Sequence, residues 1–406
     1  MTTLANFWLR TAIYTGSNTR ALVPDLFRGL GAKRVLLLSD RGLEQAGVVE
    51  KVADLFRLTT RGVGPELAGI FLDIRQDAES ECVNEAVRYA RAVGADALLA
   101  VGGGSVLDTA KGVKYALFKG LRDIKEAIPG GLRYESFPQA QFMPIPHIAI
   151  PTTAGTGSEV SPIAVIYNEE LRLKTNIINP FINADVAVLD PDLTVGLPPK
   201  VTAFTGMDAL THAIEALASP MATALTDACA LQAIRLIRDY LPEAVRDGGD
   251  IRARLEMLHA SLLGITAFSF ALNAIPVHNF AHAYGAMFRI PHGLANAVFL
   301  PVVMEAIPEL YLPKAKLLAQ ALGIYDHGQG DDVLLAKSIE RIRQLRDDIG
   351  LPRDFADYPI TAEQFAATIP AVASDPAAVS FPMPPELIRA IGERVVKLTV
   401  EKGQGK

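Results

Sequence analysis

The amino-acid sequence predicts an α/β domain with a parallel sheet at residues 1–196 and an all-α domain at residues 197–406. Three observations support this fold class. Short apolar runs alternate with helical patterns in the first half, and long helical patterns replace them near Pro198-Pro199. The third is length, because 406 residues are more than one hydrophobic core commonly holds.

Four apolar runs in the first half are typical of buried strands, at residues 34–39, 96–101, 147–150 and 185–189. Between the first two, Glu79–Val93 has the apolar spacing of a helix. Strand, helix and strand in this order predict parallel pairing through right-handed crossovers, with helices on both faces of the sheet.

Three long helical patterns follow the change in texture, at Thr202–Ala218, Ala222–Tyr240 and Ile251–Phe270, and Pro and Gly mark the breaks between them. The apolar run at residues 261–276 is shorter than the roughly 20 residues that cross a bilayer. Asn273 also interrupts this run. We therefore interpret it as part of a buried core helix.

Composition and charge exclude several classes of partner. The formal net charge is −6, from 39 basic and 45 acidic residues, and no long basic run is present, so we expect no nucleic-acid partner. Cys82 and Cys229 are far apart and are typical of free thiols in a reducing cytosol. The first residues lack the pattern of a signal peptide, so we expect a cytoplasmic protein without membrane association.

A carboxylate and several imidazoles lie in two short apolar segments of the second half. Asp208 and His212 are four residues apart, so on a helix they share one face. His278, His282 and His292 lie within fifteen positions. A lone histidine in an apolar helix is more often a core residue, but several buried imidazoles each need a polar partner. The pattern therefore favours a site for a divalent ion such as Fe²⁺ or Zn²⁺.

A glycine-rich turn follows the second predicted strand, where Gly102, Gly103, Gly104 and Ser105 precede a helical pattern that contains Asp108. Glycine permits close approach of a ligand to the backbone, and a helix N-terminus offers N–H groups to an anion such as pyrophosphate. The turn is neither a Gly-x-Gly-x-x-Gly fingerprint nor a P-loop. A tight strand-to-helix turn without a ligand is an equally good interpretation.

A second loop, at residues 151–159, is rich in glycine and hydroxyl groups and also follows a predicted strand. Two such loops fit a nucleotide that lies along the carboxyl edge of a parallel sheet. Asp40, at the end of the first predicted strand, suits ribose hydroxyls and would repel a 2′-phosphate, which favours NAD over NADP. A helix N-cap is an equally good interpretation of Asp40.

Together these motifs resemble the iron-containing (group III) alcohol dehydrogenases. The resemblance covers about residues 10–300 and rests on residues 102–105 with Asp108 and Lys111, and on residues 151–159, 206–215 and 291–293. It implies a dinucleotide-binding domain and a helical metal-binding domain with the metal between them. It also implies hydride transfer between NAD(H) and a primary alcohol or aldehyde, and at least a dimer.

Carried over position by position, the resemblance implies a role for individual residues. The implied metal ligands are Asp208, His212, His278 and His292. The implied cofactor-binding residues are Asp40, Gly102, Gly103, Gly104, Ser105, Asp108, Thr152, Thr153 and Lys174. His282 matches a histidine near the nicotinamide, which either relays a proton or only orients His278 or a water.

The chain departs from the family pattern at Asp77-Ala78-Glu79, where many members carry Asn-Pro-Thr. The cofactor contact that the family motif makes is therefore not carried over to these residues, and the added negative charge disfavours a phosphorylated ribose further. The intact ligand set argues against the metal-free maleylacetate reductases of the same superfamily. Phe268, Phe270 and Phe280 lie near the ligands in sequence, and they either shape a substrate pocket or belong to the core.

Three other functions are compatible with parts of the pattern. A hydroxyacid–oxoacid transhydrogenase resembles the same family and passes hydride between two substrates. A metal-dependent hydrolase would use the ligand set alone, but it needs no dinucleotide loops. A nucleotide sensor without catalysis would not need four metal ligands. We expect Fe²⁺ as the metal, with Zn²⁺ as the alternative.

Overall fold

The computed structural model describes residues 6–59 and 64–399. Its first part contains the strands β1 (Ala12–Thr15), β2 (Arg34–Leu38), β3 (Glu66–Phe71), β4 (Ala97–Gly102), β5 (Leu132–Tyr134), β6 (His147–Pro151), β7 (Ile163–Asn168), β8 (Leu173–Ile178) and β9 (Val186–Leu189). The helices of this part are α1 (Val23–Gly29), α2 (Arg41–Gln45), α3 (Val48–Thr59), α4 (Ser80–Ala92) and α5 (Gly104–Lys119).

Six strands form one parallel sheet in the order β1-β9-β6-β4-β2-β3. All four predicted strands are confirmed as β2, β4, β6 and β9, and the predicted helix is confirmed as α4. These four strands lie inside the sheet and are almost completely buried, which explains their continuous apolar runs. Alternate residues face opposite sides, with Leu36 and Leu38 in the core of one face and Val35 and Leu37 in the core of the other.

Strands β5, β8 and β7 form a small second sheet that the sequence did not predict. β7 and β8 pair as an antiparallel hairpin, and β5 pairs with β8 in parallel. β5 is a short strand between α5 and β6, where the sequence predicted no strand. β1 and β3 were also missed, because both lie at the edges of the large sheet and have weak apolar patterns.

The second part is helical, as predicted. Its helices are α6 (Pro199–Ala218), α7 (Ala224–Arg246), α8 (Ile251–Phe270), α9 (Pro276–Phe288), α10 (His292–Ala306), α11 (Pro308–Tyr311), α12 (Ala315–Ala321), α13 (Asp331–Asp348), α14 (Ala362–Ala373) and α15 (Pro385–Glu393). α8 has the predicted bounds, whereas α7 continues beyond Tyr240 through Pro242 to Arg246. Buried Leu241 and Ala244 keep this last stretch packed on the core. The division of domains at residues 196 and 197 stays a prediction.

The apolar run at residues 261–276 is a core element, as predicted. Ser261, Ile265 and Phe268 on α8 are buried, and the helix ends at Phe270. Over the described ranges, no single helix is long and apolar enough to cross a membrane. One pair of segments, His292–Ala306 and Pro308–Ala321, reaches the required length and apolar composition only when the two are taken together, and they are bent by 94° relative to each other. Cys82 and Cys229 are free thiols.

His147 is a buried histidine at the start of β6, with 1% of its surface exposed. Within residues 6–59 and 64–399, neither of its ring nitrogens has a hydrogen-bond partner. Burial, with the nearby Lys114 and Lys111 ammonium groups, lowers the pKa of His147 well below its ordinary value of 6.5. The folded protein therefore holds this imidazole neutral, and the unfolded chain takes up the proton first as the pH falls.

We expect His147→Phe to reduce the acid sensitivity of the fold. For a base whose folded pKa is depressed, stability is present above the unfolded pKa and is lost as the pH falls below it. The wild type should lose up to about 1.4 kcal/mol per pH unit from this one proton below pH 6.5. Urea unfolding from pH 8 to pH 5 checks this: the two proteins should run parallel above pH 7 and diverge below it, and parallel curves throughout would contradict the assignment.

Candidate active site

One cavity of about 1310 Å³ collects the predicted site residues from both parts of the chain. Its lining includes every residue predicted for the metal, the cofactor or catalysis except Gly102. It extends from the turn between β4 and α5, across the small sheet, to the N-terminus of α10. The two groups of motifs that the sequence separates by about a hundred residues therefore face the same space.

Three of the four predicted metal ligands form a compact cluster. Asp208 on α6, His278 on α9 and His292 at the start of α10 offer ligand atoms that all lie within 4.8 Å of one another. The Asp208 Oδ1 atom is 3.6 Å from Nε2 of His278 and 3.5 Å from Nε2 of His292. An oxygen and two imidazole nitrogens at this spacing are a donor set that suits Fe²⁺ or Zn²⁺.

His212, the fourth predicted ligand, lies beside this cluster rather than within it. It follows Asp208 by one turn of α6, and its ring stacks on His278 with 4.6 Å between centroids. Its Nδ1 atom is buried and has no hydrogen-bond partner in the described part of the chain. The structure thus places a buried imidazole with an unsatisfied nitrogen against the cluster, and its role as a fourth ligand stays a prediction.

Close backbone packing holds helix α6 against α10 and against α8. A Cβ atom on Gly293 would lie 2.1 Å from the carbonyl oxygen of Phe204, so only glycine fits where α10 passes α6. Gly264 has a similar role on α8, because its Cβ would lie 2.9 Å from the Ala209 carbonyl oxygen. These contacts set the distance between the Asp208 and His292 side chains.

The protonation states of Asp208, His212 and His292 suit cation binding. Burial would raise the pKa of Asp208, but the three neighbouring histidines outweigh it and hold that pKa well below its usual range. Burial lowers the pKa of His212 to about 4 and that of His292 well below 6.5. At neutral pH the structure therefore presents one carboxylate and at least two neutral imidazoles.

The sequence-based prediction missed Glu215 as a functional residue. Its Oε2 accepts a hydrogen bond from Nδ1 of His278, and its Oε1 accepts one from the Val277 N–H at 2.7 Å. Burial lowers the pKa of His278, but Glu215 and Asp208 outweigh it and raise that pKa to about 9. Because Nδ1 faces Glu215, Nε2 is the nitrogen that faces the cluster. The signal was available, since Glu215 follows Asp208 by seven residues on one helix face.

Asn296 was also missed. It lies one turn after His292, and its Nδ2 donates to Asp208 Oδ1 at 2.6 Å. The same amide nitrogen is 3.3 Å from Nε2 of His292 and 3.5 Å from Nε2 of His278. A polar residue four positions after a ligand histidine was the only sequence signal for it.

His282 lines the cavity next to the cluster. Its ring stacks on His292 with 5.3 Å between centroids, and its Nδ1 lies 3.0 Å from Asp375 Oδ2. Asp375 follows α14, and the sequence-based prediction gave no reason to connect it with His282. The structure holds the imidazole in one orientation, which both proposed roles of His282 require.

Of the three candidate phenylalanines, one lines the cavity. Phe268 contacts the rings of His212 and His278, each with 4.8 Å between centroids. Phe280 is completely buried against Phe299 and belongs to the core. Phe270 packs on aromatic residues near the N-terminus rather than on the cavity.

The glycine-rich turn and the second loop pack directly against each other. A Cβ atom on Gly103 would lie 3.3 Å from Thr153, and one on Gly104 would lie 2.7 Å from Thr156. The Thr152 N–H donates to the Gly102 carbonyl at 3.0 Å. Gly104 begins the sixteen-residue helix α5, whose first N–H groups face the cavity edge. The arrangement can bind a phosphate group at this N-terminus.

Asp108 is held from two sides inside α5. Its Oδ1 accepts from Lys111 Nζ at 3.2 Å and from the Ser158 hydroxyl at 2.5 Å. Asp108 thereby ties the α5 helix to the loop at residues 151–159. Lys111 is fully buried, and burial lowers its pKa against the opposing effect of Asp108.

Asp40 is the N-cap of α2, so that interpretation of the residue is confirmed. Its Oδ1 accepts from the Leu43 N–H at 2.9 Å. Asp40 also lines the cavity, and an N-cap carboxylate retains a second oxygen for other hydrogen bonds. The two interpretations of Asp40 are therefore compatible with each other.

Lys174 projects from β8 and pairs with Asp77, the first residue of the segment that departs from the family pattern. Its Nζ lies 2.9 Å from Asp77 Oδ1, and the two side chains are 8% and 12% exposed. Both residues line the cavity. The expected cofactor lysine is thus neutralised by a carboxylate that the family pattern does not contain.

The fold and the cavity are those of a dehydrogenase that is built from an α/β part and a helical part. Two family models match the chain in succession: "Iron-containing alcohol dehydrogenase" over residues 10–191, and "Fe-containing alcohol dehydrogenase family, C-terminal" over residues 202–391. The chain belongs to the iron-containing alcohol dehydrogenase family. It is accordingly an oxidoreductase that interconverts alcohols and aldehydes.

Individual relatives agree with this assignment. An NAD-dependent methanol dehydrogenase of Bacillus methanolicus is 33% identical over 360 residues, which cover 89% of this chain and 91% of the relative. The crystal structure of a 1,3-propanediol oxidoreductase superposes with a TM-score of 0.88 at 34% identity, covering 96% of this chain and 99% of that one. A sulfoacetaldehyde reductase from Bifidobacterium kashiwanohense in complex with NAD⁺ has a TM-score of 0.83 at 25% identity, covering 97% of this chain and 98% of that one.

Family membership decides between the alternative functions. The two family matches favour the dehydrogenase over the hydrolase and over the nucleotide sensor. The transhydrogenase alternative receives no specific support from these relatives.

We expect Glu215→Gln to weaken metal binding about 10- to 100-fold, because the amide accepts less strongly from His278 Nδ1 and no longer fixes that ring. The affinity for Zn²⁺ is measured by competition with a chromophoric chelator on the stripped protein.

Glu256→Gln is the matched control, since Glu256 makes the same kind of contact with Nδ1 of His259 at 3.2 Å, away from the cavity. It should bind Zn²⁺ like the wild type. An affinity in Glu215→Gln equal to that of the control would show that Glu215 has no influence on the metal site.

Proposed function

We propose that this protein transfers hydride between NAD(H) and a primary alcohol or aldehyde, with a divalent metal held by Asp208, His278, His292 and His212. The observation that carries the proposal is the single cavity, which joins the loops at the edge of the parallel sheet to the carboxylate–imidazole cluster. The NAD-dependent relative and the NAD⁺-bound neighbour support the choice of dinucleotide.

In this proposal the chain binds the dinucleotide along the carboxyl edge of the sheet. The α5 N-terminus, with Gly103, Gly104 and Ser105, receives the pyrophosphate. Thr152 and Thr153 face the adenosine side, and Asp40 receives the ribose hydroxyls. A carboxylate at Asp40 repels a 2′-phosphate, which supports NAD rather than NADP.

The metal cluster and its neighbours prepare the substrate end of the cavity. A bound divalent ion supplies Lewis acidity, which eases removal of an alcohol proton and polarises an aldehyde carbonyl in the reverse direction. Phe268 excludes water from one side of the cluster. Glu215 and Asn296 orient His278 and Asp208, so the chain holds its ligands before the substrate arrives.

His282 is the proposed proton relay. Its Nδ1 is bound to Asp375, which leaves Nε2 to exchange a proton with a substrate in the cavity. We propose Fe²⁺ as the native metal, on the strength of the family, with Zn²⁺ as the alternative. We also propose a cytoplasmic homo-oligomer with at least two subunits: the family resemblance supports the assembly, and the free thiols support a reducing compartment.

The proposed function is tested by following NADH oxidation with a panel of short aldehydes. We expect the chelated protein to be inactive, restored metal to recover activity, and NADPH to be the poorer donor. Asp208→Asn is the matched variant: it should bind NADH but gain no activity from added metal.

Activity that is indifferent to chelation would refute the metal role. Turnover only when two substrates are coupled, without release of free NAD, would assign the protein to the transhydrogenases instead.

We expect His282→Gln to lower kcat at least about 100-fold, because a positioned general acid–base contributes about 10²- to 10⁴-fold. Its affinity for Zn²⁺ should remain within about threefold of the wild type, since His282 is outside the ligand cluster. Steady-state kinetics and chelator competition on the same preparation separate the two effects. A loss of metal affinity with unchanged kcat at saturating metal would instead assign His282 to metal-ligand positioning.

A further inference from the structure

A cluster of three charged side chains joins the two parts of the protein at the cavity. Asp77 precedes α4, Lys174 lies on β8, and Arg289 follows α9 in the helical part. Asp77 Oδ1 is 2.9 Å from Lys174 Nζ, and Asp77 Oδ2 is 3.6 Å from Arg289 Nη1. One carboxylate therefore faces two cations, and the cluster carries a net charge of about +1.

The backbone that presents Asp77 is held in an unfavourable conformation. Asp77 and the following Ala78 both have positive φ, 68° and 50°, although neither is glycine. Left-handed backbone costs free energy in such residues and persists only where surrounding contacts impose it. Two contacts do so here: the Asp77 N–H donates to Ser105 Oγ at 3.0 Å, and the Tyr167 N–H donates to the carbonyls of Asp77 and Ala78.

The same contacts place the carboxylate between the two ends of the cavity. Ser105, bound to Asp77, lies in the first turn of α5 at the phosphate end. Lys174, bound to Asp77, lines the same cavity as His292 at the metal end. A dinucleotide whose pyrophosphate binds at α5 and whose nicotinamide reacts beside the metal would therefore lie next to Asp77.

We propose that the Asp77 cluster is a specificity-determining element that sets the relative affinity of the protein for NAD⁺ and NADH. The inference rests on the proposed function, because it takes the cofactor to lie along this cavity. The oxidised nicotinamide ring carries a positive charge, and the reduced ring carries none. A charge near the ring therefore acts on the two forms differently, whereas the pyrophosphate and the adenosine are the same in both.

The sign of the effect follows from the charges. With Asp77 ionised, the two cations are partly neutralised and NAD⁺ is tolerated beside them. Without the carboxylate, Lys174 and Arg289 repel the oxidised ring and leave the reduced ring unaffected. Lys174 and Asp77 are mostly buried, so solvent screens their charges less than it would on the surface.

The test is isothermal titration calorimetry of the metal-loaded, full-length protein with NAD⁺ and with NADH in separate experiments. Asp77→Asn removes the charge and retains the shape of the side chain. We expect the ratio of the Kd for NAD⁺ to the Kd for NADH to rise about threefold to tenfold. Asp73→Asn is the matched control, because Asp73 lies four residues before Asp77, is exposed, pairs with Arg41 and does not line the cavity. This substitution should leave the ratio unchanged.

Lys174→Met provides a reciprocal variant. It removes a cation and leaves Asp77, so the ratio should fall below that of the wild type. A threefold or larger shift in opposite directions for the two variants supports the proposal.

Two results would overturn the proposal, and they are distinguishable. If Asp77→Asn weakens both dinucleotides by the same factor, Asp77 only positions Lys174 and the charge does not discriminate between the two forms. If the wild type binds neither dinucleotide, the proposed function itself fails, and the inference fails with it.

Discussion

The buried carboxylate of Asp208 is the charge around which the helical part is organised. Removing an ionised carboxylate from water costs several kcal/mol unless other groups compensate it. Here the compensation comes from two neighbouring helices: α10 supplies Asn296 and the ring of His292, and α9 supplies the ring of His278. Each of these helices therefore has an electrostatic reason to lie where it does, in addition to its apolar packing. The absence of a side chain on Gly293 allows the helices to approach closely enough for this compensation.

In the first part of the chain, burial and contacts between loops hold the binding groups in place. Its central strands are fixed by burial on both faces, and the loops at their carboxyl ends are fixed by contact with each other. Asp108, bound by Lys111 and Ser158, ties the α5 helix to the loop at residues 151–159. Binding groups on such loops are rigid because polar side chains behind them are satisfied, not because the loops are short.

The parts of the fold that could be predicted are those with one dominant physical cause. The strands β2, β4, β6 and β9 are continuous apolar runs because both faces of the sheet are covered. The β7–β8 hairpin escaped prediction because it is held by pairing within a small sheet, where local apolar pattern is a weak guide. Edge strand β1 escaped for a similar reason, since most of its residues are exposed.

The same distinction applies to the candidate site. Asp208 and the histidines were visible because charged and imidazole groups are unusual in apolar helices. Asp375 was not, because its contact with His282 spans 93 residues and depends on how α14 packs. Asp77 was noticed only as a departure from a pattern; its partners Lys174 and Arg289 are set by tertiary structure, and neither is near it in sequence.

Arg289 has a conformation with consequences beyond its ion pair. It has φ of 57° and ends α9, a position where glycine is the least strained choice. A non-glycine residue there costs about 1 kcal/mol of folding free energy, and the protein carries the same kind of cost at Asp77 and Ala78. Around the Asp77 cluster the chain therefore accepts a cost in folding free energy that keeps charged groups in position. Substitution to glycine at these positions would relieve the backbone strain, but at Asp77 and Arg289 it would also remove the charged side chains. Higher folding stability would therefore be gained at the cost of the charge arrangement beside the cavity.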